Sequence, residues 1–250
     1  MRVETEGLVL KQVNTVNNRK ILVLFTKKFG KISAGTNLGE GGKRKSNLGI
    51  RPFTHGRYDI YSNRDSYNVI RAETIKSYYS FGEDVDKYMN VSYLLEFTEK
   101  ILSQQEPQQK IFNYLINVFD AMEKRKSKYS TLVIAYQMKV LKELGYMPNL
   151  DSCVICGTKE MLSYIDIRQG GCICENCERN SNSRKDALIY HDGLGIMDVM
   201  RYFIKMPLHN FEKIGLDENR TEVLRKIIDE FVKCHLDIRD LKSQGFLSKS

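Results

Sequence analysis

Five of the chain's six cysteines lie between positions 153 and 177, in CVICGTKEMLSYIDIRQGGCICENC. Four fall into two pairs, Cys153-x2-Cys156 and Cys174-x2-Cys177, with 17 residues between the pairs. Each such pair sits on a tight turn that presents two thiolates to one ion, and two pairs at this separation match a four-cysteine zinc site. Gly157 follows the first pair, and Gly170 and Gly171 precede the second, where the chain must bend. A dithiol redox site would sit at the start of a helix in a βαβ unit, which this sequence lacks. A catalytic zinc would want a histidine or carboxylate and an open position, and no histidine lies within the stretch. A DNA-reading finger would need a basic face. Here Lys159, Arg168 and Arg179 stand against Glu160, Asp166, Glu175 and Glu178. The expected role is one structural Zn2+ on Cys153, Cys156, Cys174 and Cys177, stapling a segment too short to bury its own core. Cys172 is left over as a buried neighbour, and Cys234 reads as packing on the apolar side of a helix.

The second chemical signal is charge. Residues 1–80 hold 15 Lys/Arg against 6 Asp/Glu, and the remainder holds 24 against 25, so the net +8 belongs to the first third. A basic module on a nearly neutral body points to a polyanion, most commonly nucleic acid. The chemistry must then be held by a fold that displays cations without reading sequence. Short apolar and alternating runs at residues 3–13, 20–26, 30–36, 51–62 and 66–75, broken by Gly/Asn/Lys turns, predict five strands and a small closed barrel of the OB type. The residues Lys27 to Gly30 predict a hairpin turn. NLGEGGKRKSNLG, residues 37–49, is a Gly-rich basic loop able to close on a phosphate backbone, and it contains no P-loop pattern.

From residue 80 the period becomes helical. Ser80 with Glu83 predicts a capping box for a first helix. Pro107 opens a second, whose tail Lys124, Arg125, Lys126 and Lys128 suits a helix C-terminus. A third runs over about 130–144 to Gly145, and two more cover about 193–206 and 221–237. The fold class expected is α+β: a five-stranded OB-fold barrel (1–80), then an α-helical domain (81–250) with a zinc-binding insert at about 151–180. His55, His191, His209 and His235 are scattered, and no nucleophile or acid–base motif stands out, so no enzyme is expected. His191-Asp192 reads as a helix cap. No run approaches the roughly 20 apolar residues of a membrane helix, and the N-terminus reads straight into a strand, which predicts a cytoplasmic protein.

Taken together, four stretches resemble the RecO family of bacterial DNA repair proteins: TEGLVLKQ…NNRKILVLFTKKFGKISA, GGKRKSNL…RPFTHGRYDIY, LKELGYMPNLDSCVICG with GGCICENC, and IRDLKSQGFL. The resemblance implies a recombination mediator that binds single- and double-stranded DNA and anneals complementary strands. With RecR, such a protein helps load RecA onto DNA coated with single-strand-binding protein, whose acidic C-terminal tail it also contacts. It implies a cytoplasmic, nucleoid-associated location, the four zinc ligands above, and a DNA surface comprising Lys27, Lys28, Lys31, Lys43, Arg44, Lys45, Arg51 and Arg57. Where many relatives carry a basic residue, a glycine and arginines directly after the third strand, this chain reads GTNLGEGGKRKS, with the charge displaced into the loop. The alternative readings are a generic zinc-containing nucleic-acid-binding protein or transcription regulator, and a zinc-dependent nucleic-acid enzyme.

Overall fold

The computed structural model describes residues 1–15, 19–39, 48–64, 66–180, 188–239 and 241–247. Five strands open the chain: β1 (Arg2–Asn14), β2 (Lys20–Thr26), β3 (Gly30–Thr36), β4 (Thr54–Asn63) and β5 (Ser66–Ser77). Each coincides with an expected extended run to within a few residues. Alternation drives them. In β4, Thr54, Gly56, Tyr58 and Ile60 turn inward while Arg57 and Tyr61 face out. The order β1-β2-β3-β5-β4 closes on itself through the antiparallel β1–β4 pair and a short parallel β3–β5 pair. Register shifts in β1 at Val9/Lys11 and in the β4–β5 ladder mark bulges, which supply the coiling a small barrel needs. The barrel is filled by Val9, Leu22, Leu24, Ile32, Ile50, Tyr58, Ile60 and Val69. Tyr58 donates its buried hydroxyl to the Gly49 carbonyl at 2.7 Å, and burial holds its phenol far above the usual range.

Two helices follow, α1 (Val85–Ile101) and α2 (Gln109–Lys124). The capping box expected at Ser80 does not form. Tyr79–Glu83 is a 3-10 turn, and Asp84 caps α1 by accepting from the Lys87 amide at 2.9 Å. An extended aspartate immediately before the first helical turn outcompetes a serine four residues upstream. Pro107 lies just before α2 rather than in it. The apolar stripe of α2, Ile111, Phe112, Leu115, Val118, Phe119 and Met122, is buried. Phe112 meets Phe25 of β2 and Phe119 meets Tyr78 after β5, both edge-on at 5.4 and 5.1 Å. Lys76 then ties β5 to α2 through Asp120 (2.7 Å) and Glu123 (2.8 Å).

By compactness the chain forms two units that meet in sequence at the end of α2. Met1–Glu123 and the stretch from Leu241 form one unit, and Lys124–Asp240 forms the other. In the first unit the C-terminal return carries a short helix, Gln244–Leu247. Glu96 of α1 receives it by accepting from the Lys242 and Ser243 amides at 2.9 and 2.8 Å and from the Ser243 hydroxyl.

The second unit contains α3 (Tyr129–Glu143), β6 (Leu162–Asp166), β7 (Gly171–Cys174), α4 (Glu175–Arg179), β8 (Ile189–His191), α5 (Ile196–Lys205) and α6 (Glu218–Leu236). α3 packs against α5 and α6. Lys139 of α3 reaches the Ile204 carbonyl at 2.7 Å, placing a cation at the C-terminus of α5. Asp192 accepts from the Met197 amide at the start of α5, consistent with its reading as a cap. The antiparallel sheet β7-β6-β8 was not legible, because its strands are short. Its third strand lies beyond residue 180, so the folded insert outruns the expected segment.

Candidate metal centre and nucleic-acid surface

The first cysteine pair sits on a turn after Asn149. The Asn149 side chain accepts from the amides of Asp151 and Ser152, which bends the chain toward Cys153. The knuckle closes when Gly157 donates to the Cys153 carbonyl at 2.8 Å and Cys153 donates to that of Thr158 at 2.7 Å. The second pair begins at Cys174, the last residue of β7, and Cys177 follows in the first turn of α4. The two halves meet because β7 runs beside the first knuckle. Val154 donates to the Cys172 carbonyl at 2.9 Å, and Cys172 to that of Asn149 at 2.7 Å. Gly171 allows this approach. A Cβ there would lie 2.5 Å from the Asn149 oxygen and 2.7 Å from the Val154 side chain.

The four sulfurs of Cys153, Cys156, Cys174 and Cys177 all lie within 4.8 Å of one another, a set that could hold a metal ion. Cys156 and Cys174 are 3.7 Å apart. A tetrahedron with metal–sulfur bonds of about 2.3 Å has edges of about 3.8 Å, so the donor set fits such an ion. Their acidities diverge. Burial pushes the Cys153 thiol up, but amides of Cys156, Cys174 and Ile155 outweigh it and bring it down to about 6. Hydrogen bonding with Cys156, then burial and the other sulfurs, pushes Cys177 up to about 12. Thiols crowded this closely cannot all ionise unless a cation compensates them. Cys172 is excluded from the set. It is buried and its Sγ donates to the Ser152 carbonyl at 3.2 Å. Cys234 is exposed, not packed as expected, because the buried stripe of α6 ends at Phe231 and Val232.

Neighbouring helices hold the centre. Tyr190 of β8 donates to Glu230 of α6 at 2.5 Å, His235 bonds the Ile167 carbonyl at 2.6 Å, and Arg201 of α5 holds the Leu150 carbonyl.

In the barrel, Lys28 is exposed on the β2–β3 turn. Lys27 is bound to Glu6 at 2.6 Å, and Arg57 lies 3.6 Å from Glu4. Arg51 is half-buried. Lys31 does not face solvent. It is 8% exposed, its ammonium donates to the Glu99 carbonyl, and burial lowers its pKa, so it serves as a tie between β3 and α1. Lys43, Arg44 and Lys45 lie outside the described residues. His55, 3.4 Å from Glu6 and edge-on to Phe112, completes this cluster. Burial lowers its pKa below 6.5, more than Glu6 raises it. A histidine held neutral contributes stability that is complete above its unfolded pKa and is lost as pH falls through 6.5 toward the folded value. The urea midpoint should therefore fall between pH 7.5 and 5.5, and His55→Gln should reduce that slope. An identical slope in the variant would assign the titration elsewhere.

The family model described as Recombination protein O N terminal matches residues 1–78, and that described as Recombination protein O C terminal matches residues 82–245. The chain belongs to the RecO family. It is similar to the DNA repair protein RecO of Caldanaerobacter subterraneus subsp. tengcongensis, with 30% identity over 246 residues that cover 98% of this chain and 97% of that one. RecO of a Thermoanaerobacter species is 30% identical over 245 residues, covering 98% and 96%. RecO of Alkaliphilus metalliredigens is 28% identical over 241 residues, covering 95% of each. RecO membership places the chain among DNA repair and recombination proteins. Among the described residues, no helix of this RecO chain is long and apolar enough to cross a membrane. What residue typing missed in it is which cations already face carboxylates, since Glu4 and Glu6 meet Arg57 and Lys27 only through strand pairing and the β2–β3 turn.

Proposed function

We propose that the chain is a recombination mediator and not an enzyme. It binds single- and double-stranded DNA, anneals complementary strands and, with RecR, helps load RecA onto DNA coated with single-strand-binding protein. The observation that carries this reading is the joint one of a RecO match along nearly the whole chain and a barrel-forming segment that holds all the net positive charge. Annealing requires that phosphates on two strands be neutralised together without reading their bases, and clustered cations on a shape-tolerant barrel do that. Lys28, Arg51 and the loop residues Lys43, Arg44 and Lys45 would contribute to this charge, as would Lys27 and Arg57, which are paired with Glu6 and Glu4. The four-cysteine site would hold one structural Zn2+, the ion that best matches four thiolates at this spacing. The acidic tail of single-strand-binding protein suits the cleft lined by Lys126, Lys128 and Lys213 in the second unit, where Lys124 faces Glu212 at 3.7 Å.

Two complementary dye-labelled oligonucleotides, mixed with the protein at low salt, should form duplex faster than without it. The acceleration should need no ATP and fade with added salt. Binding without faster annealing would reduce the protein to a generic nucleic-acid-binding module.

A further inference from the structure

The cysteine cluster meets solvent unevenly. Cys153 and Cys174 are each 2% exposed, whereas Cys156 is exposed and Cys177 is half-buried. The buried pair is also the more firmly held. Cys153 is bonded at its amide by Thr158 and at its carbonyl by Gly157, and Cys174 pairs with Leu162 in the β6–β7 ladder. The accessible pair is less constrained. Cys156 lies at the tip of the first knuckle, where Ile155 and Gly157 are exposed as well, and a Cβ on Gly157 would meet nothing within 4 Å. Cys177 lies on α4, a five-residue helix with no buried residue. The two accessible cysteines come from different knuckles, and a hydrogen bond joins their side chains. Cys172 is buried, and Cys234 is exposed but lies on α6, outside the cluster.

We propose that Cys156 and Cys177 are an oxidant-reactive pair, and that their conversion to a disulfide across the two knuckles frees the bound ion. The proposal rests on the reading of the cluster as a zinc site. A cysteine reacts with peroxide as its thiolate, and only where peroxide can reach it. All four cysteines are thiolates when they hold zinc, so access decides between them, and Cys156 is the most open. Its sulfur attacks one oxygen of hydrogen peroxide, the O–O bond breaks and hydroxide leaves, which gives a sulfenic acid. The Cys177 thiolate then attacks the Cys156 sulfur, the S–O bond breaks and a second hydroxide leaves. The two sulfurs have given two electrons to the peroxide, and both of its oxygens end as hydroxide. The sulfurs start within 4.8 Å of each other and must close to about 2.0 Å. Because α4 buries no residue, it can supply that shift without unpacking a core. Cys153 and Cys174 remain as two thiolates, half of the set that a closed zinc site needs. A disulfide formed through a sulfenic acid is reversible, so a thiol reductant with zinc restores the site.

The test uses the full chain purified under reducing conditions, with zinc counted by mass spectrometry before oxidant is added. About one equivalent of hydrogen peroxide should pass about one zinc per chain to a chromogenic chelator and consume two of the six thiols. Trypsin cuts after Lys142, Lys159, Arg168 and Arg179, but nowhere between Cys153 and Cys156 or between Cys172 and Cys177. The expected disulfide therefore joins two tryptic peptides, residues 143–159 and 169–179, and fragmentation should place it at Cys156 and Cys177. Dithiothreitol with added zinc should remove the cross-link and restore the metal. Cys172→Ser and Cys234→Ser should release zinc and form the cross-link as the wild type does. A disulfide confined to one knuckle, zinc lost through sulfinic acid with no disulfide, or zinc retained in excess peroxide would each overturn the role of this pair while leaving the zinc site intact. A chain that carries no zinc and takes up none would overturn the zinc reading itself, and this pair with it.

Discussion

Cys153→Ser is expected to bring bound zinc from about one ion per chain to near zero and to unfold the cysteine insert locally. Cys153 sits at the centre of the site. It is buried, three amides stabilise its thiolate, and its knuckle is the part of the insert that β7 lies against. The apolar cluster available without a metal is small: Cys153, Ile173 and Cys174, with Val154, Leu162, Tyr164, Cys177 and Ile189 at its edge. Two of the three residues at its buried centre, Cys153 and Cys174, belong to the candidate ligand set itself. A structural zinc contributes on the order of 10 kcal/mol of apparent binding free energy at neutral pH, which such a cluster cannot replace. Hydrogen exchange should show protection lost over residues 149–174, and zinc can be counted by mass spectrometry. Cys172→Ser and Cys234→Ser are the controls. Cys172 points at the Ser152 carbonyl and Cys234 faces solvent, so both variants should retain the metal. The folded yield of Cys153→Ser should fall further than its intrinsic affinity for DNA. A well-folded, zinc-free variant that no longer binds DNA would instead make the insert part of the DNA surface.

The second large effect is expected at Gly30. Its backbone is left-handed, with φ at +68°. A Cβ there would stand 2.0 Å from the Glu106 oxygen, 2.4 Å from its carbonyl carbon and 2.8 Å from its nitrogen. The opposing segment cannot easily retreat, because Gln105 donates its amide to the Lys31 carbonyl at 2.9 Å. Gly30→Ala therefore combines about 1–3 kcal/mol of backbone strain with an overpacking cost of similar size, for a loss of about 3 kcal/mol or more. Gly145 provides the contrast. It ends α3 with φ at +79°, but nothing lies within 4 Å of its added Cβ. Gly145→Ala should lose only about 1–2 kcal/mol, the strain alone. Urea titrations of the two variants followed by circular dichroism give the difference. Equal losses would mean that the segment at Glu106 yields and that the tight approach has no energetic weight.

Much of this was legible because the encoding is local. Alternation in KILVLFT and THGRYDIY needs only neighbouring residues to define a strand, and the Lys27–Gly30 turn follows from its own composition. The two CxxC pairs announce a shared ion by spacing, and the structure brings their four sulfurs together. Short-range competition was harder to read. The first helix takes Asp84 as its cap, although Ser80 and Glu83 match the usual pattern. Lys31 looked like a surface cation beside Lys27 and Lys28, yet strand alternation and α1 bury it against Glu99.

By itself, then, the sequence determined the five barrel strands, the longer helices, the two cysteine pairs that cluster and the excess of positive charge near the N-terminus. Only the tertiary structure decided where that charge is available. Barrel closure pairs β3 with β5 across about thirty residues of chain, and the β1–β4 and β4–β5 ladders set Glu4 beside Arg57 and leave Arg19 over Gly35. The reason is physical. Hydrophobic periodicity is a property of a single strand or helix, whereas the effective charge of a lysine or arginine depends on which carboxylates folding brings within a few ångströms of it.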